Sequence, residues 1–301
     1  MTQTPLYLIG NGFDLWHGIP SSYRHFKAYV KAHDQELSRI SEAYLPAEED
    51  WSDLESSLAD IDVDYIIDDL GHFMSCYGAD DWSDSAYHDF QIEVERVVEN
   101  LSEGLKRQFA TWIRKLCIPT PETAPRLLKT IDPAALFLSF NYTPTLRTMY
   151  GIPDAQVLHI HGRADRPDSD LILGHAWNPH TRRSLNYRHD IEELDTRQVE
   201  AFELLDDYFS RTFKPSQRII EANARFFEQL TDVETIWVLG HSLLAVDAPY
   251  FHAILSVPEI SKACWQVAYR LEEDDPSEKV EQLVSLGVAQ NKISTLPWSA
   301  L

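Results

Sequence analysis

The feature that most constrains this chain is a recurring pattern in which a short apolar run stops at glycine, asparagine or histidine and gives way to a helical stretch. Leu6 to Ile9 stop at Gly10, Asn11 and Gly12, and Ala135 to Phe140 stop at Asn141. Val157 to Ile160 stop at His161 and Gly162, Leu171 to Leu173 at Gly174 and His175, and Thr235 to Leu239 at Gly240, His241 and Ser242. Two further runs, Trp265 to Tyr269 and Lys292 to Leu296, flank a helical stretch from about Ser277 to Leu286. Apolar runs of this length without polar alternation read as strands buried on both faces. Their alternation with helices predicts an α/β fold: a Rossmann-like parallel sheet with helices on both faces. The carboxyl ends of such strands share one edge, where ligands bind, so the stopping residues are expected to converge there.

Between these runs the periodicity is helical. Ile92, Val97, Val98, Leu101, Leu105, Phe109 and Ile113 recur at helix spacing, and Phe202, Leu205, Phe209, Phe226 and Phe227 continue the pattern from about Asn186 to Leu230. We read residues 1–301 as one domain carrying helical insertions at 27–130 and 180–231. The acidic runs Glu48 to Glu55, Asp60 to Asp69 and Asp80 to Asp84 fall in the first insertion and read as a solvated face. Trp51 and Glu55 stand four apart in WSDLE, so the expectation is a buried Trp beside a helix-surface Glu.

Lys and Arg number 26 against 48 Asp and Glu, a net charge of −22. Such a field repels polyphosphate backbones and argues against direct nucleic-acid binding. The sequence has neither a long apolar run nor a charged-then-apolar leader, so the expectation is a cytoplasmic protein with no membrane partner. Cys76, Cys117 and Cys264 are scattered and form no Cys-x-x-Cys pair, which argues against a zinc ribbon and a disulfide framework.

The candidate chemistry lies at the strand ends. Gly10 and Gly12 would let backbone N–H groups approach a pyrophosphate, with Asn11 tolerating positive φ; Asp14, His17 and Tyr23 come close behind. Asn141 is a candidate to orient a ribose or a water, against the alternative of a turn asparagine. His159 and His161 share a strand face, but His161 alone stands at the terminus beside a glycine, where a near-neutral imidazole suits a general base. Gly240 and Ser242 suit a ligand oxygen, against simple helix capping. Ser242 departs from the G-x-S-x-G nucleophile elbow because Leu244 stands where glycine is needed. Asp14, His17, Asn141, His161, His175 and His241 are also materials for a two-metal phosphoesterase, although tight acidic pairs at strand ends are missing, so no metal site is expected.

Taken together and in order, IGNGFDLWHGIPSSYRHF, WSDLE, LSFNYTPTL, HIHG, LILGHA and VLGHSLLAVDAPYF make the chain resemble the AbiH-like family, associated with bacterial abortive infection against phage. That family is similar, more distantly, to the sirtuin-like NAD-binding fold. Gly10, Gly12 and the GIP segment with Tyr23 and Phe26 resemble the sirtuin glycine-rich loop and its adjoining GIP segment. Asn141 resembles the sirtuin Gln-Asn asparagine, His161 with Gly162 the catalytic histidine and its glycine, and GHSL at 240–243 the Gly-Thr-Ser that holds the nucleotide. Thr143 stands where sirtuins usually have an aspartate, and the four-cysteine zinc module is missing, so protein deacylation is not implied.

The resemblance implies an NAD glycohydrolase of phage defence that takes NAD as substrate, needs no prosthetic group and releases nicotinamide. Asp14, Asn141 and His161 would be catalytic. Gly10, Asn11, Gly12, Phe13, His17, Tyr23, Gly162, Gly240, His241 and Ser242 would line the nucleotide. The alternatives are a metal-dependent phosphoesterase or nuclease effector and a nucleotide-binding sensor without turnover; a homo-oligomer or a defence-system partner protein is compatible with each.

Overall fold

The computed structural model describes residues 4–74, 88–187, 195–271 and 274–301. Cys76, the acidic run Asp80 to Asp84 and positions 188–194 of the helical stretch expected from Asn186 lie outside the described residues. Among the described residues six strands form one sheet: β1 (Leu6–Ile9), β2 (Leu136–Ser139), β3 (Val157–His159), β4 (Thr235–Leu239), β5 (Cys264–Tyr269) and β6 (Ile293–Pro297). All five pairings are parallel and the spatial order is β3-β2-β1-β4-β5-β6. The register sets Leu8 beside Leu138 on one side and Val238 on the other.

Strand alternation divides the apolar residues between two cores, as a sheet covered on both faces requires. Leu6, Leu8, Leu138, Ile236, Val238 and Trp265 pack with Tyr250, Phe251 and Ile254 of the helix Ala248–Leu255. Tyr7, Ile9, Phe137, Leu239 and Ala268 pack on the other face with Phe13, Leu146 and Trp298. All four residues of β1 are therefore buried, which is why that strand reads as an unbroken apolar run.

The expected strand at Leu171 to Leu173 does not form. Ile172 donates one backbone hydrogen bond to the His161 carbonyl, and its own carbonyl accepts from the Tyr142 hydroxyl at 2.6 Å. A three-residue run tied by a side chain at its centre has no ladder to extend. Gly174 and His175 therefore do not end a strand; His175 makes an isolated bridge to Phe213.

The chain divides into two compact units, Met1–Ser22, Ala110–Ile172 and Pro215–Leu301 in the first, Tyr23–Phe109 and Leu173–Lys214 in the second. The sheet belongs to the first. The second is helical, and its core is built from residues at the expected spacing, including Val97, Val98, Leu101, Leu105, Phe202, Leu205 and Phe209. Ile92 departs from this pattern: it is 54% exposed, off the stripe that Phe90, Val94 and Val97 bury. Part of the acidity serves helix starts, since Asp34, Asp62 and Asp195 each accept a backbone N–H at an N-cap.

WSDLE departs from its expectation in the same unit. Trp51 is buried against Phe26 as expected, but Glu55 is not a surface residue. One carboxylate oxygen accepts from the Tyr23 hydroxyl at 2.5 Å and the other from the ammonium of Lys214, whose side chain is fully buried. Lys214 is held at that depth by its backbone, which donates to the His175 carbonyl at 2.8 Å.

Candidate functional site

In the strand order 3-2-1-4-5-6 the chain progresses one way from β1 and the other way from β4, so β1 and β4 flank the point where direction switches. The crevice at that point, beyond the carboxyl ends, is where open α/β sheets bind dinucleotides. Two turns meet there. Gly10 N–H donates to the Leu239 carbonyl at 3.0 Å, Gly12 N–H to the Gly240 carbonyl at 2.8 Å, and Phe13 N–H to the Gly10 carbonyl at 2.9 Å. A Cβ at Gly10 would stand 2.4 Å from His241 Cα, and one at Gly240, which has φ 71°, would stand 2.2 Å from the Phe13 nitrogen. The glycines thus let one strand-end turn lie directly on the other. The amides expected to hold a pyrophosphate are engaged with the β4 turn in this conformation. Asn11 is exposed and its side chain accepts from Ser21 at 2.5 Å, while exposed Ser242 offers its carbonyl to Lys279 at 3.3 Å.

Behind the first turn Asp14 is buried to 1% exposure. Its carboxylate accepts from Thr143 at 2.5 Å and Thr145 at 2.8 Å, and the Asn141 side chain also hydrogen-bonds to it. Asn141 in addition donates to the Gly10 carbonyl at 3.0 Å. Thr143 therefore does not leave its strand end without an acid: its hydroxyl donates to a carboxylate supplied from the other turn. Burial pushes the Asp14 carboxyl up from 3.8 to about 6, against the opposing pull of those hydrogen bonds.

That shift has a direction that can be measured. Between pH 4 and 6 the folded protein holds a proton that the unfolded chain has released. The group's contribution is therefore complete below pH 4 and is lost as pH rises through 6. Two pH units correspond to about 3 kcal/mol. Urea unfolding of Asp14→Asn and the parent is expected to show their stability difference moving by about 3 kcal/mol in the variant's favour between pH 4 and pH 8. A difference that does not change with pH would contradict the buried titration.

The two strand-end histidines meet on one carboxylate. Asp247 Oδ1 lies 3.5 Å from His161 Nε2 and Asp247 Oδ2 lies 3.3 Å from His241 Nε2. Phe140 packs edge-on against both rings, with centroids 5.7 Å from His161 and 4.2 Å from His241, and Tyr250 flanks His161 at 5.5 Å. At Gly162, with φ 90°, a Cβ would stand 2.2 Å from the Asp170 carbonyl, so backbone fills the space on that side of the glycine. Among the described residues, no three His, Cys, Asp or Glu side chains are placed to hold a metal ion.

Other expected site residues have partners of their own. Phe13 is a core aromatic beside Trp298 and Tyr150. His17 is fully buried with Nδ1 2.6 Å from the Phe13 carbonyl and Nε2 2.5 Å from the Tyr150 hydroxyl, and burial lowers its pKa. With both nitrogens engaged it is a structural histidine. His159 is half-buried and hydrogen-bonds the Asn141 carbonyl at 3.0 Å, so it positions the loop that carries Asn141. Tyr23 belongs to the second unit and serves Glu55. His175, in the same unit, contacts the Phe209 carbonyl at 3.2 Å.

Sequence reasoning missed Asp247. An aspartate before Ala-Pro at a helix start reads as an ordinary cap, yet its side chain makes no capping hydrogen bond. The one available signal was an acid six residues after a strand-end His in the segment VLGHSLLAVDAPYF. No curated protein matches the chain. A model of the family described as "Bacteriophage abortive infection AbiH" matches residues 6–269, a span that contains β1 to β5, both meeting turns, Asp14, Asn141, His161, His241 and Asp247, and the chain therefore belongs to the AbiH family.

Proposed function

We propose that this protein is an NAD hydrolase acting in phage defence, cleaving the bond between nicotinamide and ribose. The observation that carries the reading is the strand order with its direction switch between β1 and β4, combined with polar side chains from four strand ends gathered at that edge. The motif likeness to sirtuin-like enzymes points the same way.

In this reading nicotinamide leaves as a neutral base, taking the electron pair of its C–N bond with the ribose C1′. Water adds to the oxocarbenium-like carbon, forming the new C–O bond, and its proton passes to His161. Asn141 orients the water or the ribose, and ionised Asp14 opposes the developing positive charge. The products are nicotinamide, ADP-ribose and a proton. Asp14, His161 and His241 are 1%, 2% and 5% exposed, so the site is closed around its reacting groups. A closed site is what an enzyme that consumes a common metabolite needs before infection.

The test is incubation of the purified protein with NAD, alone, with EDTA, and with extract of phage-infected cells, followed by measurement of nicotinamide and ADP-ribose. Release that survives EDTA supports the reading. Release abolished by EDTA favours a metal-dependent phosphoesterase, and NAD retained intact under every condition favours a sensor without turnover.

A further inference from the structure

The pairing of His161 and His241 on Asp247 is tied to a second feature of the same turn. Leu243, two residues after His241, has φ 63°, a left-handed conformation that a residue with a side chain rarely adopts. In the same turn the Leu243 N–H donates to His241 Nδ1, 2.8 Å away. A backbone N–H is only ever a donor, so Nδ1 of His241 is the acceptor and the ring's proton sits on Nε2. Nε2 faces Asp247 Oδ2 at 3.3 Å, so that proton is directed toward the carboxylate. The turn therefore fixes the tautomer of one imidazole and, through it, the position of the carboxylate. The other carboxylate oxygen is presented to His161 Nε2.

We propose that Asp247 is a positioning residue for His161: held by the His241 Nε2–H, it keeps the His161 ring in one orientation and stabilises the imidazolium formed when that ring takes a proton. Asp247 does not cap its own helix, and its side-chain geometry supports this role instead. Among the described residues, the Tyr142 and Tyr250 rings lie beside His161, and the Lys279 ammonium lies on the His241 and Ser242 carbonyls. Arg163, two residues beyond His161, is paired with Asp154 and Asp165. The Asp247 carboxylate faces both rings. The inference rests on His161 being the base of the proposed reaction, and it adds how that base is held.

Imidazole nitrogen NMR on the full-length protein separates the two ideas, because it reads the rings whether or not NAD is cleaved. In the parent, His241 is expected as the Nε2–H tautomer. In Asp247→Asn, the proton affinity of His161 is expected to fall roughly tenfold or more, as removal of an opposite charge at this distance implies, with thermal unfolding reporting that the fold persists. An Nδ1–H tautomer for His241 in the parent protein overturns the proposal even if the variant does not fold. An unchanged His161 titration in a folded Asp247→Asn overturns it as well. If both NMR results hold and no nicotinamide is ever released, the network stands and the hydrolase reading fails.

Discussion

Lys214→Ala is expected to destabilise the protein by about 3–5 kcal/mol, because it strands the Glu55 carboxylate in a setting where its main counter-charge was a fully buried ammonium. The sign comes from desolvation. A buried pair returns little net stability over well-packed apolar groups, but a buried single charge keeps its full penalty. The comparison that isolates this is the double replacement Lys214→Met with Glu55→Leu, which is expected to lie close to the parent or above it. Urea unfolding of the three proteins checks both statements. A single variant within about 0.5 kcal/mol of the parent, the ordinary range for a surface substitution, would remove the buried ion pair from consideration.

On the proposed NAD-hydrolase reading with His161 as base, His161→Ala is expected to slow nicotinamide release by about a hundredfold to ten-thousandfold, the usual contribution of a positioned base, or roughly 3–5 kcal/mol of transition-state stabilisation. The control is His159→Ala. His159 lies on the same strand face, but its ring holds the Asn141 carbonyl and burial lowers its pKa, so its loss acts through loop position alone. Its effect is expected to be much smaller in kcat. Steady-state kinetics on both variants decides the point: equal losses would mean that position 161 serves only to hold the loop.

The sheet was legible because its strands are buried on both faces, which removes polar alternation and leaves short apolar runs bounded by turn residues. Leu171 to Leu173 carry the same signature without forming a strand, because three apolar residues were too few to establish a ladder and the Tyr142 hydroxyl took the central carbonyl. Ile92 likewise fits the helical period by count yet faces solvent, since periodicity predicts a stripe and packing chooses its edges. The positions of Asp14, Asn141, His161 and His241 at or just beyond strand ends were legible from the turn residues that stop each apolar run. His17 looked equally suitable in sequence, but Tyr150, 133 residues away, engages the ring nitrogen that Phe13 leaves.

What the amino-acid sequence determined by itself was local: which runs are buried, where each stops, and which polar residues stand at or just beyond the stops. Those come from side-chain apolarity, glycine's freedom and the chain's own periodicities, none of which needs a distant partner. The tertiary structure decided the rest. It set the order of the strands, turned Gly10 and Gly12 into a contact with the β4 turn, supplied Thr143 and Thr145 to Asp14, buried Lys214 on Glu55 and placed Asp247 between two imidazoles. Each of these depends on residues brought together from separate parts of the chain, and a hydrogen bond or a steric limit between them exists only once the fold has set their distance.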